Sequence, residues 1–251
     1  MALSEKQKEI YARNIKLKEV GAEGQQKLID SKVLVIGCGG LGSPVLLYLT
    51  MMGIGTIGLC DGDTVSLSNL NRQILYTMDD IGKSKAKQAA TRLQAANPEA
   101  NINIYPIFFT QKNAEEICKS YDIIVDCLDN FETRFILNDA CIKLGIPFIH
   151  AGVSHYGGQL MTIIPGKSAC LRCLFPRGAD TQQNNSMLDN AILGATAGII
   201  ASMQVMEVFK YLMGLPVSDK GLVLYDGVRM TYDKIEINPL SSCSCRQGKL
   251  K

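Results

Sequence analysis

Short aliphatic runs alternate with longer stretches of helical periodicity through the first part of the chain. Val33 to Ile36 predicts a buried strand and Leu41 to Met52 the helix that follows it. Thr56 to Cys60 is a second short strand, ending on Asp61. Polar residues from Asp63 to Asp80 make a long connection, and Lys83 to Ala96 carries helical spacing that stops before Asn97-Pro98. Ile102 to Ile107, Tyr121 to Asp126 and Pro147 to Ile149 predict three more strands, with a helix over Asn130 to Leu144. A polar segment of helical character precedes Val33. This alternation implies a parallel sheet covered by helices.

Beyond Ala151 the pattern changes. Gln159 to Ile164, Gly221 to Tyr225 and Thr231 to Ile237 predict strands joined to an antiparallel extension of the same sheet. The fold class is therefore α/β, a Rossmann-like mostly parallel sheet with an antiparallel C-terminal extension. At 251 residues the chain is expected to be one enzyme-sized domain, residues 1–251, with a nucleotide-binding half at about 30–150 and a second half at about 151–251. The polar loop Phe175 to Asp189 is long enough to suggest function. Ala191 to Met206 is the most apolar segment and holds a Gly194/Gly198 pair. It is shorter than a bilayer span and runs into Glu207 and Lys210, which predicts a buried or subunit-contact helix and no membrane partner.

The formal net charge of +2 leaves no footprint for a polyanion, so no nucleic-acid partner is expected. Glu5, Lys6, Lys8, Glu9 and Arg13 interrupt every early apolar run that could resemble a signal peptide, and the expected location is cytoplasmic. There, nine cysteines argue for thiols or a metal over disulfides. Cys170 and Cys173 form C-x-x-C, and Cys243 and Cys245 form C-x-C. Four thiolates in two close pairs suit a structural zinc. Cys38, Cys60, Cys118, Cys127 and Cys141 sit in apolar or strand-end contexts and predict packed small residues.

Gly37, Gly39 and Gly42 make G-x-G-x-x-G directly after a strand, and Asp61 follows nineteen residues beyond Gly42. Glycines of this kind let the backbone approach phosphate at a helix N-terminus, and the acid accepts ribose hydroxyls. The motif alone leaves NAD and ATP open, beside a glycine turn that serves packing only. Downstream, Asn69, Asn71, Arg72, Gln73, Lys83 and Lys85 concentrate donors that a triphosphate requires and NAD does not. Asp126, Asp129 and Asn130 fall at a strand's C-terminal end, where a carboxylate could hold magnesium.

Taken in order, "ARNIKL", "GCGGLGS", "DGDTVSLSNLNRQ", "IGKSKA" and "DCLDN" resemble the ThiF/MoeB/HesA family, bacterial relatives of ubiquitin-activating enzymes. The resemblance runs from about Glu9 to Cys245. It implies an ATP-dependent adenylyltransferase that activates the C-terminal glycine of a small ubiquitin-fold sulfur-carrier protein ending in Gly-Gly, in thiamine, molybdopterin or related biosynthesis. By the same resemblance Gly39, with Gly37, Gly40 and Gly42, meets the phosphates, and Asp61, with Asp63 beside it, meets the ribose. Asn69, Arg72 and Lys85 take the triphosphate with Gln73 alongside, and Asp129, followed by Asn130, serves magnesium and the reacting carboxylate. Arg13 would reach the ATP of a partner subunit, which implies a homodimer with Ala191 to Met206 as a candidate interface. The second half would bind the carrier and the zinc.

Two departures stand out. The family's second cysteine pair is C-x-x-C, not C-x-C. No cysteine lies between Leu174 and Ser242, and Ser186 is no substitute for a thiol in persulfide chemistry, so activation without sulfur transfer is expected. His150 and His155 are expected to be structural or exposed. Three other readings stay open: a family member acting on a peptide or tRNA-base carboxylate, a nicotinamide-dependent oxidoreductase, and a degenerate member that binds without reacting.

Overall fold

The computed structural model describes residues 3–176 and 191–247. Ser186 and most of the Phe175 to Asp189 loop lie outside the described residues. Three short helices, α1 (Glu5–Ile10), α2 (Ala12–Ile15) and α3 (Gly21–Asp30), precede the sheet. There follow β1 (Lys32–Ile36), α4 (Gly42–Met52), β2 (Thr56–Cys60), α5 (Lys85–Ala96), β3 (Asn101–Tyr105) and α6 (Ala114–Cys118). The chain continues through β4 (Ile123–Asp126), α7 (Phe131–Leu144), β5 (Phe148–Ser154) and β6 (Gly157–Ile163). It ends with α8 (Leu171–Leu174), α9 (Gly194–Met213), β7 (Gly221–Asp226) and β8 (Thr231–Glu236).

All eight strands form one sheet in the order β3-β2-β1-β4-β5-β6-β7-β8. Pairings from β3 to β5 are parallel and those from β5 to β8 antiparallel. The predicted antiparallel extension is present. Successive side chains of a strand point to opposite faces, so the aliphatic runs feed two cores. Val33 and Val35 join Ile57, Ile123 and Val125 beneath α4, α5 and α9, whereas Leu34 and Ile36 join Ile124 and Phe148 beneath α6 and α7. Each such aliphatic side chain contributes about 1.5–3 kcal/mol on full burial.

Several elements differ from expectation in their bounds, and one was not expected: β3 is Asn101–Tyr105, β4 starts at Ile123 and α9 runs from Gly194 to Met213. Strand β5 runs on to Ser154, because β6 pairs with it residue for residue from Phe148 to Ser154 and overrides the weak strand tendency of Ala151 and Gly152. Helix α5 starts at Lys85 because Lys83 accepts a backbone bond from Val65, and Ser84 bridges to Thr64. Helix α6 has too short a period to stand out in the sequence. Helix α9 buries Ile200, Ala201, Val205 and Val208 against the sheet and α4, which makes the apolar segment a core helix. Among the described residues no helix is long and apolar enough to cross a membrane. The outermost strand, β8, is exposed at every position, and Asp233, Lys234 and Glu236 put charge along that edge.

Candidate active site

Strands β2 and β3 lie on one side of β1, and β4 and β5 on the other, so the chain reverses direction across the sheet between β1 and β4. The crevice at the C-terminal ends of those two strands is where open α/β sheets bind ligands. Gly37 turns the chain there with φ 95°, and a Cβ on it would come within 2.6 Å of the Cys127 carbonyl oxygen. A Cβ on Gly42 would sit 1.9 Å from the Gly37 oxygen, so α4 can begin only against a bare glycine. Gly39 and Gly40 are different. Their nearest neighbours would be 3.5 and 3.4 Å from a Cβ, an ordinary distance, yet both face the crevice. The fold does not demand glycine at either position; a ligand pressed onto the backbone would.

The crevice opens into a cavity of about 1090 Å³. Asp61 lines it, its two carboxylate oxygens held by the Cys38 and Asp63 backbone N–H groups at 2.8 Å each. Lys85, only 7% exposed, reaches Asp63 at 3.1 Å from the first residue of α5. Arg72 is braced by the Ser68 carbonyl and the Asn71 side chain, both at 3.0 Å. The first turn of α9 packs on that loop, since a Cβ on Gly194 would be 2.7 Å from the Asn71 oxygen. Gln73 is buried, and its Oε1 has no hydrogen-bond partner among the described residues. Asp129 also lines the cavity and is exposed, its one hydrogen bond among the described residues coming from the Asn130 amide at 3.2 Å, while Asn130 caps α7 through the Thr133 N–H.

The structure thus gathers Gly37, Gly39, Gly40, Asp61 and Asp63 with Arg72, Gln73, Lys85, Asp129 and Asn130 around one cavity. Asn71, Lys83 and Asp126 are not on its wall, and neither are three residues that the family resemblance implied. Gly42 acts through packing. Asn69 turns its side chain back to the Ser66 N–H and accepts from the Arg72 and Gln73 N–H groups through its carbonyl, so it shapes the loop that carries them. Arg13 is exposed on α2.

The ThiF family model matches residues 11–247. The chain belongs to the ThiF family. A sulfur carrier protein adenylyltransferase of Thermus thermophilus is 38% identical over 239 residues, spanning 93% of this chain and 88% of that protein. The sulfur carrier protein ThiS adenylyltransferase of Escherichia coli is 37% identical, spanning 93% and 92%. Among solved structures, Escherichia coli MccB with ATP superposes with a TM-score of 0.82 at 25% identity, over 94% of this chain and 74% of that one.

This ThiF-family chain also brings its four paired cysteines together. Cys170, Cys173, Cys243 and Cys245 place their sulfurs within 4.8 Å of one another, with Cys170–Cys243 at 3.6 Å and Cys173–Cys245 at 3.5 Å. Thiolates about 2.3 Å from a tetrahedral zinc lie about 3.8 Å apart, so the donor set fits that ion despite the shortened second pair. The remaining cysteines are buried, as expected. Cys60 and Cys127 touch the cavity wall, but burial pushes the Cys60 thiol up to about 12 and raises Cys127 well above its ordinary range, which disfavours a thiolate at either.

Several wall residues escaped the sequence reading. Arg134 is buried one turn into α7, and its guanidinium donates to the Leu128 and Ala151 carbonyls at 2.5 and 2.9 Å. A basic residue four positions after the Asn130 cap was the available signal. Phe108 stands over Gly62 just beyond β3, and Gln159 reaches the wall from β6. His150 is fully buried between Asp126 and Gln159, and His155 is exposed.

Proposed function

We propose that this chain is an adenylyltransferase: it transfers AMP from ATP to the C-terminal glycine carboxylate of a small ubiquitin-fold sulfur-carrier protein and releases pyrophosphate. The convergence of Arg72 and Lys85 on the same cavity as Asp61 and Asp129 carries this reading. The relatives, named as sulfur carrier protein adenylyltransferases, supply the substrate class. They give the nicotinamide reading no support.

In this assignment the phosphates lie against Gly39 and Gly40 at the start of α4, where free backbone N–H groups favour anions. Asp61, pinned by two backbone N–H groups, accepts from the ribose, and Phe108 supplies an apolar wall for the base. The carrier carboxylate attacks the α-phosphorus; a carboxylate–phosphorus bond forms, the bond to the β-phosphate oxygen breaks, and pyrophosphate departs with the electron pair. No proton moves in this step, so no general base is needed. The barrier is electrostatic: two anions must meet, and negative charge grows on the leaving group. Arg72 and Lys85 meet that charge, with Lys85 exchanging Asp63 for phosphate and Gln73 offering its buried amide. Asp129, an exposed carboxylate with a single side-chain partner, fits a magnesium ion, which when bound would screen the phosphate oxygens.

We assign the chain as one adenylation domain, 1–251, whose halves at about 30–150 and 151–251 serve nucleotide and carrier respectively. The cysteine cluster holds a structural zinc in this assignment. A homodimer would let exposed Arg13 serve the partner's nucleotide.

Magnesium-dependent exchange between ATP and labelled pyrophosphate tests the reaction, measured with and without carriers ending in Gly-Gly. Exchange that requires one carrier supports it. Measurable ATP binding with no exchange for any carrier would overturn it in favour of a peptide or tRNA-base carboxylate, or of a member that binds without reacting.

A further inference from the structure

A chain of side-chain hydrogen bonds runs from the interior to the cavity wall on the side away from Asp61. Asp126, at the end of β4 and fully buried, accepts from the Leu128 N–H at 3.0 Å and lies 2.7 Å from His150 Nδ1. His150 Nε2 lies 3.2 Å from Gln159 Nε2. Gln159 stands directly opposite Gly152 in the β5–β6 ladder, and its side chain crosses the space a Cβ there would crowd, at 3.3 Å from Nε2.

The direction of every bond in this chain is set by its buried end. The Leu128 N–H donates to the Asp126 carboxylate and Arg134 Nε lies 3.7 Å from it, so the carboxylate serves here as an acceptor. With the carboxylate accepting, His150 donates from Nδ1 and keeps a lone pair on Nε2. That lone pair requires a donor, which makes the Gln159 atom facing it the amide nitrogen. The amide oxygen is left over, and no hydrogen bond from the described residues reaches it. Burial lowers the His150 pKa, which keeps the ring neutral and this order intact near neutral pH.

A lone acceptor on this wall is selective. Phosphates carry only acceptors and repel it, and the ribose site at Asp61 directly follows β2, across β1, β4 and β5 from β6. A peptide entering along the β5–β6 wall offers N–H donors. We propose that Gln159 accepts the N–H of the terminal peptide unit of the acyl substrate, with His150 and Asp126 as positioning residues that hold its amide in that orientation. This inference rests on the carrier-adenylation reading above. Acidification would put a proton on Nε2, and the Gln159 amide would then turn its NH2 group into the cavity, where it repels the peptide donor. Asp126 from β4 and Arg134 from α7 are the charged groups facing the ring.

The test is pyrophosphate exchange with the carrier that supports it, with KM for carrier and for ATP measured separately between pH 5 and 8. Gln159→Ala and the isosteric Gln159→Met are expected to raise the carrier KM roughly tenfold and leave the ATP KM within about twofold. Wild type should show a carrier KM that climbs on the acid side; both variants should lose that climb. His150→Phe, which cannot accept from the amide, should raise the carrier KM in the same way where it folds. A carrier KM unchanged in both Gln159 variants, or an ATP KM rising in parallel, overturns the inference while leaving adenylation standing. A wild-type protein silent with every carrier removes adenylation and the inference together.

Discussion

Lys85 combines near-complete burial with a partner, Asp63, whose carboxylate is half exposed and has no other hydrogen-bond partner among the described residues. A cation kept in so dry a place for a carboxylate that could be solvated is poised for a stronger anion. Lys85→Met is expected to cut carrier-dependent exchange on the order of 100-fold or more while ATP-independent thermal stability changes little, because the lost pair is solvated on one side. Equal stability loss and activity loss would argue for a structural lysine. His150 makes a second prediction. Its pKa is lowered in the fold by burial, so the unfolded chain binds the proton first on acidification. Stability is therefore fully present above the unfolded value of about 6.5 and falls as pH drops below it, by up to about 1.4 kcal/mol per pH unit from this one group. Denaturant titrations at pH 7 and pH 5.5 on wild type and His150→Phe would show the wild type alone losing that increment. Gly37, Gly39 and Asp61 were legible as wall residues because their spacing is itself the signal, whereas Arg72 and Lys85 came from the density of donors after Asp61 and from the family resemblance. Arg134 and Gln159 were not, because one reaches the wall through the pitch of a helix and the other through a cross-strand register that no local pattern encodes.

Helix α7 starts where the active-site loop ends, and Asn130 is the joint. Its side chain caps the Thr133 N–H at 2.9 Å while its amide touches Asp129. Asn130→Ala is expected to cost about 1 kcal/mol of stability and to weaken exchange by freeing Asp129, a pairing that denaturation and exchange measured on one sample would reveal. Element types were readable from periodicity, since strands buried on both faces read as continuous aliphatic runs. Strand β5 was underestimated because Ala151, Gly152 and Ser154 have little tendency of their own to extend; β6 imposes it. Helix α9 read correctly as apolar, and its contacts with α4 and β5 explain the composition without a membrane.

At the scale of the molecule, the four cysteines tie the C-terminal segment to α8, more than seventy residues away in sequence. Metal analysis is expected to find one zinc per chain, and strong chelation or Cys243→Ser should lower the thermal midpoint; a metal-free protein of unchanged stability would exclude the zinc. Light scattering tests the dimer, with a monomer at all concentrations ruling out a role for Arg13 on a partner's nucleotide. Sheet order was partly legible, as alternation announced the parallel half and the later texture the antiparallel one, but the position of β1 between β2 and β4 was not written in any single segment. That position has a consequence for folding. The crevice assigned to the nucleotide does not exist until β4 docks on β1, a closure of about ninety residues from Leu34 to Ile124, so the glycine loop made early in the chain waits for a strand made much later. ATP bound there would act as a folding ligand as well as a substrate: at a hundred times its Kd it adds about 2.7 kcal/mol to the native state, and it would do so by bridging the seam between β1 and β4, where the two halves of the parallel sheet meet.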